Sequence, residues 1–170
     1  MHASAGEGDA ALALLGEFLD RAPLPNTLYR EGSPVIETPL AFARVLQEML
    51  MTSHGGLIRV FPAVPDAWPD AVFDNLRAEG AFLVSARRRG GVTRLVQVTS
   101  LAGEPCRVRT TLPGAVRGSS GVAIHHDACS GVTEVRLARG QTVRLYCGDA
   151  PPGDDFRPLA HDPPARPWGG

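Results

Sequence analysis

The chain has 170 residues, enough for one domain with a helical extension, and 44% of them are hydrophobic, enough to build a core. A net charge of −1 gives nucleic acid or an anionic membrane no electrostatic reason to bind. All 17 basic residues are arginine, which fits a GC-rich coding sequence better than a specialised use of guanidinium chemistry.

No apolar run approaches the roughly 18 residues a membrane-spanning helix needs. The first twenty residues lack a basic leader, and Glu17 and Asp20 interrupt their apolar run, so they do not read as a signal peptide. The chain as written is therefore expected in the cytoplasm. That expectation lapses for a piece of a longer precursor, whose parent would be free to be secreted.

Residues 1–8 are small and polar and are expected to be disordered. Leu12, Leu14, Leu15, Phe18 and Leu19 recur at helical spacing and predict a helix over 9–21. Asp9 suits its N-cap, and Pro23 and Pro25 stop it. An irregular segment follows over 26–37, with Gly32 and Pro34 as turn formers.

Thr38 and Pro39 read as N-cap and first residue of a second helix, since proline there forfeits no hydrogen bond. Phe42, Val45, Leu46, Met49 and Leu50 give that helix one apolar face, and Gly55-Gly56 is expected to end it. With the helix over 39–53, Ala43, Gln47 and Met51 are expected to border exposed surface.

From residue 57 the period changes to two. Strands are predicted over 57–64, 80–87, 92–100, 105–111, 121–125, 132–137 and 141–147, separated by Gly-rich turns. Short strands at this spacing predict an antiparallel β-sandwich. The fold expected is mainly β, a sandwich preceded by two α-helices. Its organisation is a helical segment over 1–55, a sandwich over 56–148 and a Pro-rich, loosely attached tail over 149–170.

Cys106, Cys129 and Cys147 show neither CxxC spacing nor a histidine at ligand spacing, so zinc is not expected. The reading favours three reduced thiols, with one cross-strand pair between Cys106 and Cys147 left open. His125-His126-Asp127 is no chelate, because neighbouring residues of a strand face opposite ways. No cofactor or metal is expected. Nor is there a P-loop, a dinucleotide fingerprint, a zinc-protease motif or a nucleophile elbow.

Glu37 is the leading candidate for chemistry. It immediately precedes the proposed N-cap, where the helix macrodipole favours a negative charge. An inverting glycosidase needs such a base, with an acid about 6.5–9.5 Å away. The plainer reading is dipole complementation or pairing with a nearby arginine. His54 either lines a pocket or interacts with the helix end. Trp68 and Phe61 either stack on a sugar or pack between helix and sandwich.

Five ordered pieces carry a resemblance. These are Ile36-Glu37-Thr38-Pro39-Leu40, the helix end Glu48-Met49-Leu50-Met51-Thr52-Ser53-His54, the turn Pro62-Ala63-Val64-Pro65 with Trp68-Pro69, the run Asn75 to Phe82, and Ser100 to Cys106. In that order they resemble the junction of barrel and sandwich in glycoside hydrolase family 95, the α-L-fucosidase-like enzymes, over roughly residues 34–110. The resemblance implies that Glu37 occupies the position of the family's catalytic, base-side aspartate. It implies a carbohydrate substrate and a catalytic α/α barrel as partner, toward which His54 and Trp68 are the candidate substrate contacts by their own chemistry.

Glu37 stands where the family has aspartate, and Pro39 where it has asparagine. The base is thereby displaced by about one methylene, and small misplacements of a base are costly. The acid-side glutamate would lie upstream, in barrel helices beyond the two predicted here, so this polypeptide alone is not expected to hydrolyse a glycoside. The alternative is a non-catalytic carbohydrate-binding or structural accessory module. Exposure of Trp68, Phe61 and Tyr146 on one face would favour binding, and a large exposed apolar patch on the first helix would favour assembly.

Overall fold

A computed structural model describes residues 2–21, 28–31, 33–119, 121–153 and 156–160. The chain opens with a single helical turn, α1 (His2–Ala5), followed by α2 (Gly8–Arg21). A two-stranded hairpin of β1 (Tyr29–Glu31) and β2 (Ser33–Val35) leads into α3 (Glu37–Leu50). Ten further strands build two five-stranded sheets.

The first sheet contains β3 (Met51–His54), β4 (Leu57–Val60), β8 (Pro105–Arg109), β10 (Ile124–Asp127) and β11 (Val132–Arg136), in the order β10-β11-β8-β4-β3. The second contains β5 (Ala71–Ala78), β6 (Phe82–Arg89), β7 (Val92–Ser100), β9 (Val116–Gly118) and β12 (Thr142–Cys147), in the order β5-β6-β7-β12-β9. Every pairing is antiparallel except β4 with β8, which run parallel. The predicted sandwich preceded by helices is what the chain forms.

The core lies between the sheets. Ile58, Val60, Cys106, Val108 and Val135 of the first meet Phe73, Phe82, Val84, Val96, Val98, Val143 and Leu145 of the second. Alternation along β8 shows the cause, since Cys106 and Val108 are buried while Arg107 and Arg109 are exposed. The buried hydroxyl of Ser85 is satisfied within the fold, donating to Asp74 Oδ1 at 2.6 Å and accepting from the Asn75 N–H at 2.9 Å. Asn75 marks a bulge in β5 and takes φ 55°, a conformation asparagine tolerates better than most residues.

A smaller core joins the helices to the sandwich. Ala3, Ala11, Leu15, Met49 and Ala63 are buried together, with Phe42, Val45, Leu46 and Trp68 packed around them. Tyr29 stacks on Phe18 at 4.6 Å between ring centroids, and Phe18 stacks on Phe42 at 4.9 Å, tying β1, α2 and α3 together. The N-terminus of α2 lies so close to the loop after β4 that a Cβ on Gly8 would stand 2.5 Å from the Ala63 carbonyl oxygen.

Several local expectations are corrected. The helix expected over 39–53 ends at Leu50, because Met51–His54 pairs with Leu57–Val60 as a strand. Gly55 and Gly56, at φ 63° and 70°, make the tight turn of that hairpin and do not cap the helix. Met51 is consequently buried, whereas Ala43 and Gln47 are exposed. At its other end α3 starts at Glu37 behind an Ile36 N-cap without a side-chain cap, so Thr38 lies inside the helix.

Residues 2–5 are helical, since Ala3 is buried against the small core. Gly8 opens α2, and Asp9 instead accepts a hydrogen bond at 3.1 Å from the Asp66 N–H. The strand expected over 57–64 stops at Val60, where Phe61 takes φ 53° and its N–H donates to the Leu50 carbonyl at 2.7 Å. Strands β3, β5 and β9, and the β1–β2 hairpin, are additions to the predicted elements. The stops expected at Pro23, Pro25 and Gly32 lie outside the described residues, as does the tail from residue 161 onward.

Candidate functional site

Glu37 is the first residue of α3 and is exposed. Its Oε2 accepts a hydrogen bond from the Ile36 N–H at 3.1 Å, which holds the carboxylate beside the helix start. Ile36 and Leu40 flank it, 56% and 60% exposed.

His54 is at the far end of α3, one strand further on. The helix between them spans about 20 Å at 1.5 Å per residue, so the fold does not bring Glu37 and His54 together. His54 is exposed, and its Nε2 lies 3.5 Å from Arg59 Nη1. It borders a polar cleft of about 780 Å³ between α3, β3 and the end of β5, together with Arg44, Glu48, Thr52, Arg77 and Glu79.

Within this cleft Glu48 is engaged by Arg44 at 2.9 Å and by the Ser4 hydroxyl at 3.3 Å. The Ser53 hydroxyl accepts from the Glu79 N–H at 2.9 Å. Thr52 carries a buried hydroxyl without a partner among the described residues. Arg, Glu and Thr side chains suit sugar hydroxyls, but among the described residues no Phe, Tyr or Trp ring lines the cleft to stack on a sugar face. Sequence reasoning found only His54 here, because β3 and β5 meet through tertiary packing that no local pattern announces.

Trp68 is half-buried and packs on the small helical core. It also lines a shallow recess with Asp70, Phe73, Phe156, Pro158 and Leu159, so part of the C-terminal segment lies near it. Phe61 and Tyr146 are both buried. The three aromatics therefore form no shared exposed platform, which removes the observation that would have favoured a stacking-type binding module.

The remaining candidates have structural roles. Asp127 accepts hydrogen bonds from the Ser130 hydroxyl at 2.6 Å and the Cys129 N–H at 3.0 Å, closing the β10–β11 turn. Those bonds hold its carboxyl below the usual value. His126 Nδ1 lies 2.9 Å from the Thr133 hydroxyl, while the adjacent His125 is exposed.

All three cysteines are free thiols, with Cys106 in one sheet and Cys147 in the other. Burial pushes the Cys106 thiol from 9.0 up to about 12 and raises Cys147 as well. At mildly alkaline pH, iodoacetamide is expected to alkylate exposed Cys129 first, Cys147 more slowly, and Cys106 only on unfolding. Peptide mass spectrometry reads the order, and equal rates would contradict the buried placement of Cys106. The same shift has a stability consequence. Above pH 9 the unfolded chain ionises Cys106 while the folded chain does not, so its contribution to stability falls as pH rises toward about 12.

Two sheets packed face to face, preceded by a helical layer with exposed apolar side chains, define a β-sandwich module. The chain belongs to glycoside hydrolase family 95: the profile of that family's C-terminal domain matches residues 52–145. The match begins inside β3 and ends within β12, so it covers the sandwich and leaves the helices before it. No curated protein matches the chain. A glycoside hydrolase C-terminal domain accompanies a catalytic domain, and packing against that domain follows from the assignment.

Proposed function

We propose that this chain is the C-terminal module of an inverting, α-L-fucosidase-like glycoside hydrolase. It packs on a helical catalytic barrel through α2 and α3 and presents Glu37 as the base-side carboxylate. The observation that carries this reading is the distribution of uncovered apolar surface. Of the five large apolar side chains exposed among the described residues, Leu14, Leu19, Ile36 and Leu40 lie on or beside these helices, and Leu159 lies in the tail.

Exposed leucine and isoleucine grouped on one layer mark a surface made to be covered. Glu37 stands between Ile36 and Leu40, so a barrel that covers those two side chains also encloses the carboxylate. Inversion requires a second carboxylic acid, about 6.5–9.5 Å away, to protonate the leaving oxygen. The upstream barrel would provide that acid, and the chain by itself would not hydrolyse a glycoside. His54 and Trp68 lie toward the other end of α3, and in this reading they contact parts of a carbohydrate remote from the scissile bond. The division between helical and sandwich portions then falls at the α3–β3 junction, slightly before residue 55.

The test is calorimetric titration of the chain with a family 95 catalytic domain that lacks its own C-terminal domain. Leu40→Glu is expected to weaken the complex by about tenfold or more, because a charge would be buried unpaired at the contact. Leu40 is 60% exposed in the chain alone, so the variant leaves the core intact. Equal affinity of the variant and wild type would remove α3 from the interface.

A further inference from the structure

One row of side chains on the second sheet is buried on the side away from the core. Val72, Arg87, Leu95, Tyr146 and Arg117 stand opposite one another in register across β5, β6, β7, β12 and β9. Their neighbours along the strands, Phe73, Ala86, Val96 and Leu145, belong to the core between the sheets. Alternation therefore sends the row to the outer face. Yet Leu95 is fully buried, Tyr146 is 7% exposed, and Arg87 is buried at its Nε. Leu95 and Tyr146 belong to neither core. An outward leucine loses all its exposure only when something lies over it.

The chain that leaves β12 is placed to lie there. Tyr146 is the last residue but one of β12, so the chain departs at the level of this row. Gly148, at φ 101°, turns it, and the Asp149 carboxylate reaches Arg117 at 3.4 Å. Further on, Phe156, Pro158 and Leu159 share a recess with Val72 and Asp74 of β5, at the other end of the row. From β12 to β5 is three strand spacings, about 14 Å. The stretch from Cys147 to Phe156 can reach about 30 Å, so it crosses with slack. Pro152 and Phe156 are half-buried, whereas Pro151, Gly153 and Arg157 are exposed.

We infer that the C-terminal segment seen at residues 149–153 and 156–160 is a strap across the outer face of the second sheet, covering Leu95 and Tyr146. Its prolines suit this task, because a segment poor in N–H groups covers a sheet face without offering an edge for strand pairing. While the strap is down, this face is closed to a partner domain. The strap involves neither Glu37 nor the docking of α2 and α3, and either proposal can fail without the other. The rival cover is the arginine side chains of the same face, folding their stems over the row.

The experiment uses the full chain. In the wild type, {¹H}–¹⁵N NOE values at Asp149, Gly153, Phe156 and Leu159 are expected to match those of the strands. Values typical of a free tail would overturn the strap. Nitration by tetranitromethane, read by peptide mass spectrometry, then tests what it covers. In Phe156→Asp the rate at Tyr146 is expected to rise by about tenfold or more, since losing an apolar ring's burial favours the lifted strap. Tyr29, stacked on Phe18, is the internal reference and is expected to keep its rate. A wild-type rate at Tyr146 in the variant would overturn the strap and assign the cover to the arginine stems. Equal acceleration at both tyrosines would mean that the variant unfolds, and the wild-type NOE values then decide alone.

Discussion

In a complex with the catalytic domain, Glu37→Gln is expected to lower hydrolysis of an aryl α-L-fucoside by about 10²–10⁴-fold, the usual contribution of a positioned general base. Glutamine keeps the shape and a hydrogen-bond acceptor for the Ile36 N–H, but it cannot take a proton from water. The exposed position of Glu37 means that the chain's own stability should hardly change. Steady-state kinetics would place the loss in kcat with KM little altered. Activity equal to wild type would show that Glu37 only complements the helix start. The same experiment with an aryl α-galactoside tests which sugar the complex accepts.

Phe82→Ala is expected to destabilise the domain by about 3–5 kcal/mol, the range for truncating a buried phenylalanine. Phe82 starts β6, is 3% exposed, and belongs to the core cluster between the sheets. It is packed against the turn before it so closely that a Cβ on Gly80 would stand 2.7 Å from its ring. The ring holds the β5–β6 turn down on the core, and its loss leaves a cavity that strands in two sheets cannot both close. Small domains are stable by about 5–15 kcal/mol, so the variant should unfold at much lower urea. A change under about 1 kcal/mol would mean that the sheets do not pack at this end.

These two residues also show what the sequence could and could not reveal. Phe82 is legible because Phe82, Val84 and Ala86 stand at every second position of an apolar stretch, which declares both a strand and its buried face. Gly55-Gly56 is the opposite case. A glycine pair after an apolar helical run suits a helix terminus, and it equally suits a type I′ hairpin, which needs positive φ at both residues. What decides is β4, whose free edge takes Met51–His54 as a partner, and that is a tertiary fact. Strand β5 was hidden for a related reason. The bulge at Asn75 adds a residue and breaks the alternation that a period-two search relies on.

The candidate sites divide in the same way. That Glu37 stands at a helix start is legible locally from Thr38-Pro39, although α3 begins two residues earlier than those signals suggest. The in-register placement of Arg59 beside Arg109 is not legible in this way, because a parallel pairing unites positions far apart in the chain and no short motif marks it. The polar cleft around His54 depends equally on β3 lying next to β5.

The measurement that bears most directly on the central claim is hydrogen–deuterium exchange of the chain with and without a family 95 catalytic domain. Docking through the helical layer predicts slower exchange along α2 and over residues 36–43, with β10 and β11 unchanged. Protection confined to the β10–β11 edge, or none anywhere, would contradict the assignment of this layer and of Glu37 to the interface with the catalytic domain.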